Sequence, residues 1–426
     1  MKKAEGAVTA QRPSFGRKYF IALYQRDFCI FWTGQCVSVI GTWMQNVGQA
    51  WLVLEMTGSS AKLSIVTAAQ FLPIMLFAGF AGPFIDRCPT RKTLIATQCA
   101  LAILALALAL LTWSHVIRYW MVIVLAVLLG IVQLIDIPTR QAYVIEMAGR
   151  DTLMNAVSLN SAAFNLARII GPAVAGLAIE AIGTAPCFFV NALSFVAVII
   201  ALIFIKAPPV TSGHPVGTLQ DVLASSSDGL AYIRRRPRIA IPLVLMALIS
   251  TFVINFTVLV PTFAKIELGR SASGYGFLMT AMGIGSLVAA LTLAVKSGKG
   301  PSRLRLYGGA AGTCVALLLC GLQRSYVLSC VLLGIVGFCT ISFTASTNAT
   351  IQLESDDEYR GRVMSVYALV FGGVTPIGSL FAGWVSEASS PAVCMVIAGA
   401  IGLVSSIVAV SIMRRPGALL RKEKIH

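Results

Sequence analysis

Runs of about twenty consecutive apolar residues recur along this chain, each long enough to cross a hydrocarbon core of roughly 30 Å as a helix. A soluble fold is excluded by that feature alone. Of the 426 residues only 12% are charged and 57% are hydrophobic, against a charged share of roughly 25% in soluble proteins. The runs are solid. A membrane barrel would instead alternate lipid-facing and lumen-facing residues along each strand. The expected fold is an all-α membrane protein.

Charged and Pro/Gly-marked breaks separate twelve spans, at roughly 28–54, 62–85, 93–114, 119–137, 154–179 and 184–205, then 240–263, 274–295, 306–322, 326–350, 363–386 and 392–413. With the N-terminus placed in the cytoplasm, segments on that side hold 27 of the 33 Lys and Arg residues. The other side holds five, namely Lys62, Arg118, Lys265, Arg270 and Arg324. This is a positive-inside pattern, and an even number of spans puts both termini in the cytoplasm. It also explains the formal net charge of +16 without a nucleic-acid partner. The basic stretch before Arg26 leads into no short apolar region with a small-residue cleavage site, so no removable signal is expected.

Nine of the ten cysteines lie in or beside apolar spans, where a thiol behaves as a small hydrophobe. Their spacing suggests neither a metal site nor a redox pair. Enzyme motifs are missing too. The nearest approach to a phosphate-binding G-x-x-x-x-G-K-[ST] loop is Gly298-Lys299-Gly300, and no histidine falls inside a span to activate a nucleophile. No cofactor, metal or catalytic chemistry is expected.

The two halves repeat. Leu128-Leu129-Gly130-Ile131-Val132 recurs as Leu332-Leu333-Gly334-Ile335-Val336, and Ala175-Gly176 with Glu180 recurs as Ala382-Gly383 with Glu387. Two equivalent six-helix bundles follow, with a site between them near the midplane. The expected organisation is an N-terminal tail at 1–26, bundles at 27–206 and 239–413, a cytoplasmic linker at 207–238 and a basic tail at 414–426. In the linker, Leu219, Val222, Leu223, Leu230 and Ile233 fall at helical spacing. An amphipathic helix there would lie along the bilayer with its arginines toward anionic lipid head groups.

Gly82-Pro83-Phe84-Ile85-Asp86-Arg87, followed by Arg91-Lys92, resembles the signature loop of the major facilitator superfamily. Pro89 and the five-residue step from Asp86 to Arg91 depart from its usual pattern. Gly41-Thr42-Trp43-Met44-Gln45, Asp136-Ile137-Pro138-Thr139-Arg140, Ala167-Arg168-Ile169-Ile170-Gly171-Pro172 and Gly361-Arg362-Val363-Met364-Ser365 resemble the subgroup that contains the enterobactin exporter and macrolide-efflux proteins. The resemblance implies the twelve-helix, two-bundle fold in a bacterial inner membrane, with a monomer as the expected unit.

Rocking bundles need a releasable latch. Asp86, Arg87 and Arg91 supply charge-assisted hydrogen bonds at the cytoplasmic surface, with Asp136 as a partner for Arg91. Asp86 would also be favoured beside the positive N-terminus of the eleventh helix near Gly361. Plain positive-inside anchoring is the alternative, although it needs no aspartates.

Arg168 falls near the middle of the fifth span, where an arginine costs at least about 2.5 kcal/mol and normally faces a polar interior. Asn160, Phe164 and Asn165 share its neighbourhood. It either holds an anionic substrate or caps carbonyls freed by Pro172. Gly171, Pro172 and Gly176 bend the helix and permit close packing, and they resemble a motif of exporters. On the first span Gln35, Ser38, Thr42, Gln45 and Gln49 share one face. That stripe either lines a cavity or bonds neighbouring helices, and Trp43 beside it either packs or stacks on ligand. The resemblance adds Gln133, Asn255 and Asn348 as lining residues from the fourth, seventh and tenth helices. No Asp or Glu lies well inside any span, so coupling to protons, implied by the family, would fall to Asp136 or Glu55.

The expected function is secondary active export of a small amphipathic organic compound, a siderophore first, by alternating access. Macrolide or multidrug efflux and a lipid (lysophospholipid) flippase are the alternatives.

Overall fold

The computed structural model describes residues 20–85, 88–205, 228–295, 300 and 302–414. Asp86, Arg87, residues 1–19 of the N-terminal tail, 206–227 of the linker with Leu219, Val222 and Leu223, and 415–426 lie outside the described residues.

The apolar runs form twelve spanning helices. The first half holds α1 (Arg26–Thr57), α2 (Ser60–Ile85) and α3 (Thr90–Trp113), then one helical run from Tyr119 to Ile182, then α6 (Ala185–Phe204). Within that run only Gly149 leaves helical geometry, at φ 63° and ψ 171°, a conformation open to glycine. It separates α4 (Tyr119–Gly149) from α5 (Thr152–Ile182). The second half holds α7 (Pro237–Glu267), α8 (Ala272–Val295), α9 (Arg303–Leu322), α10 (Tyr326–Glu354), α11 (Asp357–Ala388) and α12 (Pro391–Arg414). The sequence pattern ends the fourth span near residue 137 and begins the fifth near 154. Helix instead continues past Pro138, where the Thr139 hydroxyl bonds the Ile135 carbonyl at 2.7 Å. By length and composition eleven of the twelve spans are apolar enough to cross a membrane, and α1, which carries the polar stripe, is the exception.

The two sequence repeats have structural causes. A Cβ on Gly130 of α4 would sit 2.0 Å from the Gln70 carbonyl oxygen of α2. In the other half a Cβ on Gly285 of α8 would sit 1.8 Å from the carbonyl oxygen of Gly334, the repeat partner of Gly130 on α10. Helix association in lipid depends on such backbone approach at small residues. Gly285→Val therefore forces α8 and α10 apart and is expected to lower the melting temperature of the solubilised protein and its membrane level several-fold, on the overpacking scale of about 1–3 kcal/mol. Gly361→Ala, with nothing within 4 Å of its Cβ position, is the silent control in the same thermal melt.

With twelve spans, the start of α1 and the end of α12 lie on one face, here termed the terminal face. Across the halves α5 packs on α8 and α2 on α11. The large apolar core that joins them takes Val47, Trp51, Leu54, Leu63, Ala175 and Ile179 from the first half, all toward the far face. Toward the terminal face the first half keeps a separate core around Phe28, Phe31, Leu94, Tyr143 and Leu202. Every hydrogen bond between the halves among the described residues lies at mid-depth or toward the far face. Among the described residues the bundles are thus joined at mid-depth and at the far face.

The described end of the linker, helical over 228–235, docks on the α10–α11 turn. Tyr232 stacks on Tyr359 at 4.3 Å between centroids and accepts from the Asp356 backbone N–H at 2.9 Å. Arg236 and Arg238, expected to face lipid head groups, pair with Asp356 and Glu354, while Arg234 and Arg235 stay exposed. Ile233 is buried in the core and Leu230 is exposed.

Candidate functional site

Arg168 projects from α5 toward α1. Its guanidinium lies 5.8 Å from the Trp43 ring centroid, in range of a cation–π contact. Phe164, one turn earlier, meets Trp43 edge-on at 5.9 Å. The Arg168 Nε is buried and has no hydrogen-bond partner, and among the described residues the side chain makes no ion pair. Pro172 lacks the N–H that would bond the Arg168 carbonyl, yet among the described residues the guanidinium caps no carbonyl. The freed Arg168 oxygen faces Gly283 of α8, whose Cβ position is 2.9 Å away, and the next carbonyl, Ile169, accepts from the Thr280 hydroxyl at 3.0 Å. The capping role weighed from the sequence is not what the side chain does.

The glycines around it serve two neighbours. A Cβ on Gly171 would sit 2.5 Å from the Trp43 Cβ, and one on Gly176 would sit 2.8 Å from the Ala272 carbonyl oxygen of α8. Gly171 brings α5 onto α1, and Gly176 brings it across onto the other half. Asn165 donates to Ser161 on its own helix at 2.8 Å.

The polar stripe on α1 divides. Gln45, expected in the cavity, is 5% exposed and accepts from Asn191 of α6 at 2.7 Å. Gly41 makes room for that contact, since a Cβ there would fall 2.7 Å from the Asn191 amide oxygen. Gln35 and Ser38 are likewise buried. Gln49 does face a cavity of about 60 Å³ between α1, α2 and α7, with Asn46, Thr67, Gln70 and Thr257 in its wall. Its amide donates to Gln70 at 3.4 Å. From the second half, Asn255, also expected in the cavity, is 2% exposed, donates to Thr251 at 2.7 Å and presses on Gly378 of α11. It occupies the break in α7 at 253–255, where a side-chain amide satisfies backbone that the helix leaves free. Asn348 is half-buried and accepts from Gln352 at 2.6 Å, and Gln133 is half-buried on α4.

The expected Arg91–Asp136 pair is not formed. Arg91 donates to the Leu202 and Ile203 carbonyls at 2.9 and 3.0 Å, capping the end of α6, where a helix dipole favours a cation. Asp136 is fully buried and pairs instead with Arg140 one turn along α4, while its other oxygen accepts from Thr97 at 2.8 Å and Gln98 at 2.7 Å of α3. The spacing of Asp136 and Arg140, four residues, carried that pairing in the sequence. Gly361 sits open in the first turn of α11. Asp86 and Arg87 of the expected latch are outside the described residues.

This twelve-helix, two-bundle fold is that of a transporter of the major facilitator superfamily and not an enzyme, as the family and relatives that match the chain show. The chain belongs to the transmembrane secretion effector family, whose model matches residues 19–419. It is 28% identical to the multidrug efflux pump Tap of Mycolicibacterium fortuitum over 356 residues, 82% of this chain and 86% of that one. It is 25% identical to the staphyloferrin A transporter of Staphylococcus aureus over 363 residues, covering 82% and 87%. With macrolide efflux protein A of Streptococcus pyogenes it shares 21% over 358 residues, covering 83% and 88%. The crystal structure of the nucleoside transporter NupG shares the fold at a TM-score of 0.71 and 12% identity, over 92% of this chain and 100% of that one.

Proposed function

We propose that the protein is a secondary exporter that carries an anionic amphipathic compound, a siderophore, out of a bacterial cell by alternating access coupled to protons. The observation that carries this reading is the Arg168 guanidinium, a mid-span cation with no ion-pair partner among the described residues, set against Trp43 and Phe164. An arginine in that position is costly unless a ligand repays it. Its planar fork suits a carboxylate or catecholate, and the ring beside it suits an aromatic body. The staphyloferrin A transporter among its relatives supports the same class.

Charge placement orients the chain. The segments 1–26, 207–238 and 414–426 lie in the cytoplasm, with bundles 27–206 and 239–413 in the inner membrane. The terminal face is then the cytoplasmic one, and Asp86, Arg87, Arg91 and Gly361 form its latch when it closes. Asp136, buried and paired, is the carboxylate we assign to the coupling proton. Efflux of macrolides or other drugs is the second reading, favoured by the uncharged polar cavity at Gln49 and by the Tap and macrolide-efflux relatives.

Metabolite profiling of medium and cytoplasm under iron starvation, with the protein deleted and restored, separates the two. Siderophore export predicts that a catecholate or carboxylate chelator accumulates inside the deletion strain and falls at least several-fold in the medium. Normal secretion together with drug sensitisation in growth assays overturns that reading in favour of drug efflux.

A further inference from the structure

The repeated Gly and Glu pair found in the sequence builds the same device twice at the far face. Glu387, at the end of α11, reaches across to the start of α2 in the other half. One carboxylate oxygen accepts from the Ser59 hydroxyl at 3.0 Å, the Ser60 N–H at 2.8 Å and the Ala61 N–H at 3.3 Å. One turn earlier Gly383 lets the helices touch, since a Cβ there would sit 2.1 Å from the Ser64 hydroxyl oxygen and 2.8 Å from the Ser60 carbonyl oxygen. Glu180, at the end of α5, meets the start of α8 in the same way. It accepts from the Ser271 hydroxyl at 3.1 Å and faces Ser273, and Gly176, one turn earlier, packs on Ala272 and Ser273. In each case a glycine brings one helix end against the first turn of a helix in the opposite half, and a glutamate four residues on satisfies donors there.

The first turn of a helix carries backbone N–H groups without internal partners and a positive dipole end. A carboxylate supplied from the other half gains from both, and gains only while the halves touch. We infer that Glu387 and Glu180 are a matched pair of clasps that hold the far face shut, and that both release when the transporter opens there. They are positioning residues of the transport cycle. Between them the Lys265 ammonium of α7 donates to the Leu54 carbonyl at the end of α1 at 2.8 Å, and Trp51 stacks on Tyr275 of α8, so α1 is held to the second half along the same face. The clasps are unequal. Glu387 gathers two backbone N–H groups and a hydroxyl on one oxygen, while Glu180 is exposed and meets Ser271 and Ser273 in water, so Glu387 contributes more to closure.

This inference rests on the alternating-access part of the proposed function, and its test reads opening and not flux, so the two fail separately. Hydrogen–deuterium exchange of the full chain in lipid nanodiscs is followed in peptides covering 56–67 and 268–281, one per clasp. Glu387→Gln removes the charge-assisted part of three bonds and is expected to speed exchange roughly five-fold or more at its own clasp and also at 268–281. Glu180→Gln does the same with a smaller amplitude, and Glu387→Asp, which keeps the charge, restores most of the protection. The transfer between clasps is the deciding readout, because a glutamate that only caps its own neighbour changes exchange there alone. Exchange confined to the mutated clasp, or unchanged in both, overturns the inference. Should Glu387→Gln fail to fold, Glu180→Gln read at 56–67 decides it.

Discussion

Arg168→Ala abolishes export, with a loss of at least about a hundred-fold in the rate of substrate accumulation by inverted membrane vesicles, and leaves the protein as stable as the wild type or more so. Both halves of this expectation follow from the absence of a partner for the Arg168 Nε. A guanidinium that among the described residues bonds no carboxylate and caps no carbonyl holds the fold only through its contact with Trp43, worth about 0.5–2 kcal/mol, while its burial costs at least about 2.5 kcal/mol by insertion scales. Its removal relieves that cost. An anionic ligand held by Arg168, as proposed above, would lose two or more charge-assisted hydrogen bonds worth about 1.5–3 kcal/mol each, and each such loss is a factor of ten or more in affinity. Arg168→Lys keeps the charge but not the fork and is expected to retain a few per cent of export. Trp43→Ala, which removes the ring 5.8 Å from the guanidinium, weakens export by less because one cation–π contact is worth about 0.5–2 kcal/mol. Normal flux in Arg168→Ala together with a lower melting temperature would assign the residue a structural role and remove the basis for an anionic substrate.

The helices were legible because hydrocarbon sets one length and the chain repeats it. Gly149 was less so, since an isolated glycine between polar residues reads as a loop, and only its φ of 63° shows a sharp bend in continuous helix. Arg168 stood out for the same reason the helices did, as a charge inside an apolar run. Its failure to cap the Pro172 gap could not be read, because that depends on Gly283 and Thr280 of α8 filling the space beside the freed carbonyls. Gln45 and Asn255 show a further limit. A polar face on a helix marks a polar neighbour, and sequence does not say whether that neighbour is water in a cavity or, as here, Asn191 and the α7 break. The clasps were half visible. The repeat of Gly176 with Glu180 as Gly383 with Glu387 was plain, but the donors Glu387 serves are 326 to 328 residues away, and no local rule reaches that far.

The buried Asp136–Arg140 pair leads to the second large effect, which concerns stability first and coupling second. Asp136 is completely enclosed and its oxygens are used by Arg140, Thr97 and Gln98, while the Arg140 Nε is buried with no partner of its own. Asp136→Asn leaves a guanidinium whose side chain is only 25% exposed without a counter-charge, and the loss is expected to lie below the about 3–5 kcal/mol typical when one member of a fully buried pair is removed. Arg140→Met is expected to cost less, because a carboxylate left alone in a dry site takes up a proton and becomes neutral. The double variant, neutral at both positions and similar in volume, is expected to recover most of the stability, since apolar or neutral replacements of a buried pair are often close to neutral. Thermal unfolding of the four solubilised proteins gives the cycle directly, with a favourable coupling of a few kcal/mol as the expected result. The double variant then tests function in a folded protein. If Asp136 carries the coupling proton, that variant still binds substrate and exchanges it down a gradient, but an imposed proton gradient no longer drives accumulation in vesicles. A double variant that stays proton-driven leaves Asp136–Arg140 as a structural tie between α3 and α4 and transfers the coupling role to a carboxylate outside it, with Glu55 next in line. A double variant no more stable than Asp136→Asn would show that the Thr97 and Gln98 bonds, and not the ion pair, hold that end of the first bundle together.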